Sequence, residues 1–127
     1  MKRAFVIAAW ATAAAIAYGT FVSVGVPYAI YFKLAPWLGY PSIHRFAAIE
    51  HLMVFASLGA LIVLAWPNRI IINCCIIVFT AALLEFLQTL TPDRHGTIID
   101  ACEKIAGGLF GVFAAHATTR WRKDKTR

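Results

Sequence analysis

The sequence predicts an all-α integral membrane protein, a bundle of four transmembrane helices with short antiparallel connections. Hydrophobic residues make up 61% of the 127 residues, and the mean hydropathy of +0.71 exceeds what a soluble domain of this size tolerates. One crossing of the hydrocarbon core needs about 20 helical residues, so the chain accommodates four crossings with short loops. We therefore expect residues 1–127 to form a single transmembrane domain.

The first predicted span covers residues 4–24, which follow two basic residues, contain no charge and are rich in alanine. The same features also describe a signal peptide with a small-residue cleavage motif at 15–17, and this alternative stays open. Residues 25–45 contain three prolines and several aromatic rings. These residues predict an interfacial loop after span one, with room for a short helix lying on the membrane surface.

The other predicted spans are 46–66, 70–90 and 98–119. Because only residues 67–69 separate spans two and three, these two helices should be antiparallel neighbours. Thr97 offers an N-cap for span four, which leads into a basic tail. The sequence thus places three helices in direct succession after the interfacial loop.

The distribution of basic residues predicts the orientation of the chain. The N-terminus, the turn at 67–69 and the tail carry 2, 1 and 5 Lys or Arg residues, against 2 and 1 in the other two loops. The positive-inside rule assigns the richer set to the cytoplasm. We expect a multi-pass protein of the bacterial inner membrane with cytoplasmic N- and C-termini, and the later spans keep this orientation if span one is cleaved.

The formal net charge of +6 comes mainly from the two ends of the chain. Basic residues beside membrane spans are typical of topology signals, so nucleic acid is not an expected partner and membrane lipids are. The three cysteines, Cys74, Cys75 and Cys102, lie in or beside apolar runs and do not have the pattern of a disulfide framework.

Ionisable and amide side chains concentrate at the predicted outer ends of the spans. A charge at the bilayer centre costs about 3 kcal/mol on insertion scales, so such residues should share a polar pocket or pair with one another. Arg94 or Lys104 should contact Glu85 or Asp100, with span two facing them. A purely structural network is the alternative. The pocket candidates are Glu50, His51, Glu85, Gln88, Arg94, Asp100, Glu103 and Lys104.

Span four carries a single stripe of polar and then small residues. Asp100, Glu103 and Lys104 are followed on the same helical face by Gly107, Gly108 and Gly111. The glycines predict close packing of a neighbouring helix.

No set of His, Asp and Glu has the spacing of a metal motif, and no nucleotide-binding, Cys-x-x-Cys or hydrolase motif occurs. We expect neither a metal nor a cofactor.

The run from Glu85 through Gln88, Pro92 and Arg94 to Asp100 and Gly107-Gly108 resembles the VanZ-like membrane protein family. His51 is similar to the histidine that opens an earlier helix of that family. Lys104 stands where the family has Asn, and Ala47 and Ala48 replace an Asp-Lys pair. The resemblance covers spans two to four and implies a cell-envelope role, with glycopeptide-antibiotic tolerance among the expectations.

The leading functional hypothesis is a non-enzymatic envelope protein whose outward polar pocket binds a lipid headgroup, a lipid-linked saccharide precursor or another membrane protein. The alternative is an intramembrane enzyme acting on a phospholipid-like or lipid-linked substrate, in which Glu85 or Asp100 is the acid or base and Arg94 or Lys104 holds a phosphate. A third hypothesis is a small proton-coupled transporter.

Overall fold

The all-α prediction is confirmed by a computed structural model, which describes residues 2–21, 25–39, 42–90 and 96–125. No strand occurs in those ranges. The helices are α1 Lys2–Phe21, α2 Gly25–Leu34, α3 Ile43–Ala65, α4 Ile70–Thr89 and α5 Ile98–Lys125.

Helix α3 begins three residues earlier than the predicted span 46–66 because Ser42 caps it. The Arg45 backbone N–H donates to Ser42 Oγ at 3.4 Å, which satisfies one of the unpaired donors of the first turn. His44 and Arg45 therefore lie on a helix and not in the expected loop.

Helix α5 is longer than the predicted span 98–119, since it continues through the basic tail to Lys125. Lys and Arg are good helix formers, and cations are favourable at a helix C-terminus. The Lys125 ammonium also lies 4.3 Å from the centre of the Trp121 ring. Thr97 caps the other end as predicted, accepting the Asp100 N–H at 3.0 Å.

The predicted interfacial loop 25–45 is largely helical, because it contains α2 and the start of α3. Pro27 is the third residue of α2, in the first turn, where the missing N–H would have had no intrahelical partner. The chain turns after Leu34, with Gly39 at a φ of +72° that favours glycine.

Two helices, Ile43–Ala65 and Ile70–Thr89, are long and apolar enough to cross a membrane, judged by length and composition. The apolar stretch of α1, Arg3–Gly19, is shorter than that criterion requires. Helix α5 has Asp100, Glu103 and Lys104 in its first two turns. The predicted spans thus differ in how strongly they support membrane insertion.

The helices do not pack in chain order. Helix α5 has its largest contact with α3 and a second contact with α4, while α3 and α4 touch each other much less, despite their short connection. Helix α1 packs mainly on α3. The antiparallel pair α3–α4 is therefore a minor interface, and the principal interface joins the parallel helices α3 and α5.

Glycines account for the closeness of α3 and α5. A Cβ on Gly107 would lie 2.7 Å from the Leu52 Cα, and one on Gly111 would lie 2.7 Å from the Ala56 carbonyl carbon. Gly59 of α3, which the packing prediction did not include, lies against the Gly108 carbonyl oxygen. Backbone meets backbone along this interface, and no side chain larger than hydrogen fits between the helices.

The hydrophobic core lies where α1, α3, α4 and α5 meet. Val63, Ile77 and Val112 have no exposed surface, and Ala9 of α1 packs against the same cluster. Near the α3–α4 turn, the buried Asn73 amide donates to the Trp66 carbonyl at 3.0 Å. Asn73 thus satisfies a carbonyl at the end of α3 that the helix leaves without a partner.

A polar site at one end of the bundle

Polar side chains gather at the end of the bundle where α3 and α5 begin and α4 ends, called here the polar end. They form two groups that differ in exposure. The closed group consists of Glu85, Gln88 and Lys104. The open group consists of His51, Asp100 and Glu103.

The closed group joins α4 to α5 and is buried. Lys104 and Glu85 are 4% and 6% exposed, and the Lys104 ammonium donates to Glu85 Oε2. The same ammonium donates to Gln88 Oε1 at 3.2 Å. Glu85 and Gln88 face α5 together because they lie three residues apart on α4. The contact expected between Lys104 and Glu85 is therefore present.

The start of α5 covers the closed group. The Thr97 N–H donates to Glu85 Oε1 at 2.7 Å, so both carboxylate oxygens of Glu85 have donors. Gly96 passes so close that a Cβ would lie 3.2 Å from Glu85 Oε1 and would overlap the Glu85 backbone oxygen. With its charge neutralised and its hydrogen bonds satisfied, this group joins α4 to α5, and removal of one partner would leave an unpaired buried charge.

The open group joins α3 to α5 and is partly exposed. His51 Nδ1 lies 3.1 Å from Glu103 Oε2 and 3.9 Å from Asp100 Oδ1. The side chains of His51, Asp100 and Glu103 are 22%, 31% and 25% exposed. A ligand can reach them without displacing the helices.

Helix geometry explains why these three side chains converge. Asp100 and Glu103 lie three residues apart and therefore on one face of α5. His51 precedes Leu52, whose backbone lies against Gly107 one turn further along α5. Because α3 and α5 run parallel and in near contact there, the imidazole of His51 is level with the two carboxylates.

The electrostatics of the two groups differ as well. Lys104 neutralises Glu85 within the closed group. Across the described part of the chain, the ion pairs of Asp100 and Glu103 are both with His51. Two carboxylates thus share one imidazole, so acidic groups outnumber basic groups in the open group.

The remaining pocket candidates have different positions. Glu50 is half-buried on α3 and belongs to neither group. Arg94 lies outside the described residues, and so does its expected contact with Glu85 or Asp100. The structure therefore divides the predicted pocket into two neighbouring groups on α5, one bonded to α4 and one paired with α3.

The spacing of residues along the chain did not indicate a metal-type cluster, yet the open group resembles one. His51 Nδ1 and one carboxylate oxygen each from Asp100 and Glu103 lie within 4.8 Å of one another. His51 and Glu103 are 52 positions apart, so no local motif joins them. The one sequence feature that pointed to their proximity was their common depth at span ends.

At the opposite end of the bundle, sequence analysis predicted no site. His116 of α5 is partly buried there, and its Nδ1 atom has no hydrogen-bond partner among the described residues. Among the residues that the structure describes, the ion pairs between ionisable side chains lie at the polar end.

No protein-family model, curated protein or solved structure matches the chain.

Proposed function

We propose that the chain is a VanZ-like inner-membrane protein in which α1, α3, α4 and α5 cross the bilayer. Large apolar side chains on the outside of the bundle support this proposal. Ile7 and Trp10 of α1, Phe79 of α4 and Phe110 of α5 are each 68 to 71% exposed. An apolar surface on several sides of a bundle suits lipid better than water.

The lengths of α1 and α5 are consistent with four spans. Their 20 and 28 residues extend about 30 and 42 Å at 1.5 Å per residue, which matches or exceeds a hydrocarbon core about 30 Å thick. Ala9 of α1 is buried against α3, which supports retention of span one over its removal as a signal peptide.

The asymmetry of Lys and Arg supports cytoplasmic N- and C-termini, with the polar end facing the periplasm. Reporters fused after residue 127 and within 67–69 should be cytoplasmic, and one at Gly96 should be periplasmic. A periplasmic C-terminus would contradict this orientation and would turn the polar end toward the cytoplasm.

The function that the geometry supports best is recognition of the polar headgroup of an envelope lipid or lipid-linked saccharide. The partial exposure of His51, Asp100 and Glu103, at a position proposed to be the membrane boundary, carries this proposal. Carboxylates accept hydrogen bonds from hydroxyl and ammonium groups, and charge-assisted bonds of this kind are strong. The closed group holds α4 and α5 together beside the pocket and does not touch the ligand.

Lipid retention tests this function. The full chain is purified in mild detergent, and native mass spectrometry identifies the lipids that remain bound. We expect one headgroup class to be retained by the wild type and to fall at least about tenfold in Glu103→Gln, which removes a charged acceptor.

Glu50→Gln is the matched control, because it removes a carboxylate from the same end of the bundle but from neither group. It should retain the lipid. Equal loss in both variants, or no enriched headgroup class in the wild type, would contradict the proposal. The mass of the retained molecule separates a phospholipid from a lipid-linked saccharide.

An intramembrane enzyme is the second candidate, favoured by the 3.1 Å contact between His51 and Glu103. A carboxylate that orients an imidazole is a common acid–base arrangement. In this version His51 moves the proton, whereas Glu85 and Lys104 do not touch the substrate because they are buried and bound to each other. Consumption of the retained lipid by the wild type but not by His51→Gln would favour the enzyme.

A further inference from the structure

We propose that His51, Asp100 and Glu103 bind a divalent first-row transition-metal ion of the zinc type. The ligand atoms of the three side chains already lie within 4.8 Å of one another. Metal–ligand bonds of 2.0–2.2 Å in a tetrahedral site place neighbouring ligand atoms about 3.4 Å apart. The observed 3.1 and 3.9 Å from His51 Nδ1 bracket that spacing, so small side-chain rotations suffice.

The backbone that carries the three ligands is held in place without a metal. Gly107 and Gly111 keep α5 against α3, and Thr97 caps the turn that bears Asp100. Preorganised ligands lose little conformational entropy on binding an ion. The site is therefore built into the principal helix interface of the fold.

Charge also favours a cation at this position. Lys104, the cation nearest in sequence, is occupied by Glu85 and Gln88 in the closed group. The described ion pairs of Asp100 and Glu103 both converge on the same imidazole nitrogen, which is also a metal ligand when deprotonated. A divalent ion would neutralise both carboxylates at once, which the imidazolium alone does not achieve.

The ligand set identifies the class of ion. Imidazole nitrogen favours zinc and related transition metals, while sites made of oxygen ligands suit Mg²⁺ and Ca²⁺. Three protein ligands that are partly exposed leave coordination positions open to water or to a ligand oxygen. The bound ion would add affinity for phosphate to a pocket whose carboxylates otherwise repel it; this consequence rests on the headgroup function proposed above.

Cobalt titration tests the site directly. The purified full chain in detergent is freed of metal with a chelator and titrated with Co²⁺, whose visible absorption reports its ligands, and Zn²⁺ is then added in competition. We expect one saturable ion per chain, displaced by Zn²⁺. Asp100→Asn and Glu103→Gln should each weaken binding by at least about tenfold.

Glu50→Gln again serves as the control and should bind Co²⁺ as the wild type does. Helix content and the thermal unfolding midpoint of each metal-free variant establish that it folds. At one Zn²⁺ concentration, the midpoint should rise more for the wild type than for the two open-group variants. If Glu103→Gln does not fold, Asp100→Asn decides the test, since it alters the longer of the two contacts.

Three outcomes would overturn the metal site: no saturable binding by the wild type, equal weakening in Glu50→Gln, or a thiolate charge-transfer band that places Co²⁺ on a cysteine. The metal titration uses no lipid, and lipid retention is measured both with and without chelator. Metal binding without lipid retention would contradict the proposed function alone, and lipid retention without metal binding would contradict the metal site alone.

Discussion

The closed group and the open group contain similar residue types but differ in their accessibility to a ligand. In the closed group, Lys104 of α5 pairs with Glu85 of α4. In the open group, Glu103 of α5 pairs with His51 of α3. The α5 members of both groups lie in the first two turns of that helix. The closed group is nearly inaccessible, with both oxygens of Glu85 bonded, whereas the open group exposes about a quarter of each side chain. The closed group is a structural pair because it is buried and both oxygens of Glu85 accept hydrogen bonds. The open group is a candidate binding site because its side chains are partly exposed.

The two groups differ in solvent exposure because different segments of the chain cover them. Gly96 and Thr97 pass directly over Glu85, so the turn into α5 excludes solvent from the closed group. His51, in the third turn of α3, faces the neighbouring part of α5, and the described residues leave 22% of its side chain exposed. The path of the chain at Gly96 and Thr97 therefore decides which carboxylates are accessible to a ligand.

Removing one partner of the closed group should have the largest effect on stability. Lys104→Met leaves the buried Glu85 without its cation, and breaking a buried ion pair in this way costs about 3–5 kcal/mol. We expect loss of membrane abundance and a lower thermal unfolding midpoint in detergent. The double variant Lys104→Met/Glu85→Leu should recover much of the loss, since it leaves no unpaired charge. If Lys104→Met alone were as stable as the wild type, the closed group would not be a structural contact and the proposed distinction between the two groups would be wrong.

A larger residue in the α3–α5 interface should have the next largest effect. Gly111→Leu forces a side chain against the Ala56 backbone, and overpacking of this kind costs about 1–3 kcal/mol. It should also separate His51 from Glu103, so the contact within the open group should be lost while the Lys104–Glu85 ion pair between α4 and α5 remains. Ala114→Leu, at an exposed position on the same helix, is the control. Equal unfolding midpoints for the two variants would show that α3 does not press against Gly111.

The smallest stability effect should come from the open group. Glu103→Gln removes one partly exposed partner of His51, and solvent-accessible ion pairs contribute about 0–1 kcal/mol. We expect wild-type abundance and an unfolding midpoint close to that of the wild type, measured without added metal or lipid. A loss as large as that of Lys104→Met would place the open group among the structural contacts.

Much of the secondary structure was predictable because it depends on local chemistry. Apolar runs long enough for a helix gave α1, α3, α4 and α5, and the hydroxyl of Thr97 predicted where α5 begins. The predicted loop 25–45 contains the short helix that the prediction allowed, but it is more helical than expected, since a proline within the first turn of a helix does not interrupt it. The bundle across a bilayer and the VanZ-like resemblance stay predictions.

The sequence by itself determined the all-α class and the clustering of ionisable residues near helix ends, because helix periodicity and the cost of burying charge act along the chain. It also predicted that Lys104 or Arg94 would meet a carboxylate. Only the tertiary structure decided that α5 lies chiefly against α3, and that Lys104 faces α4 while Asp100 and Glu103 face His51. Helix neighbours depend on how glycine faces and bulky faces fit together in three dimensions, and that fit is not encoded in the spacing of any one segment.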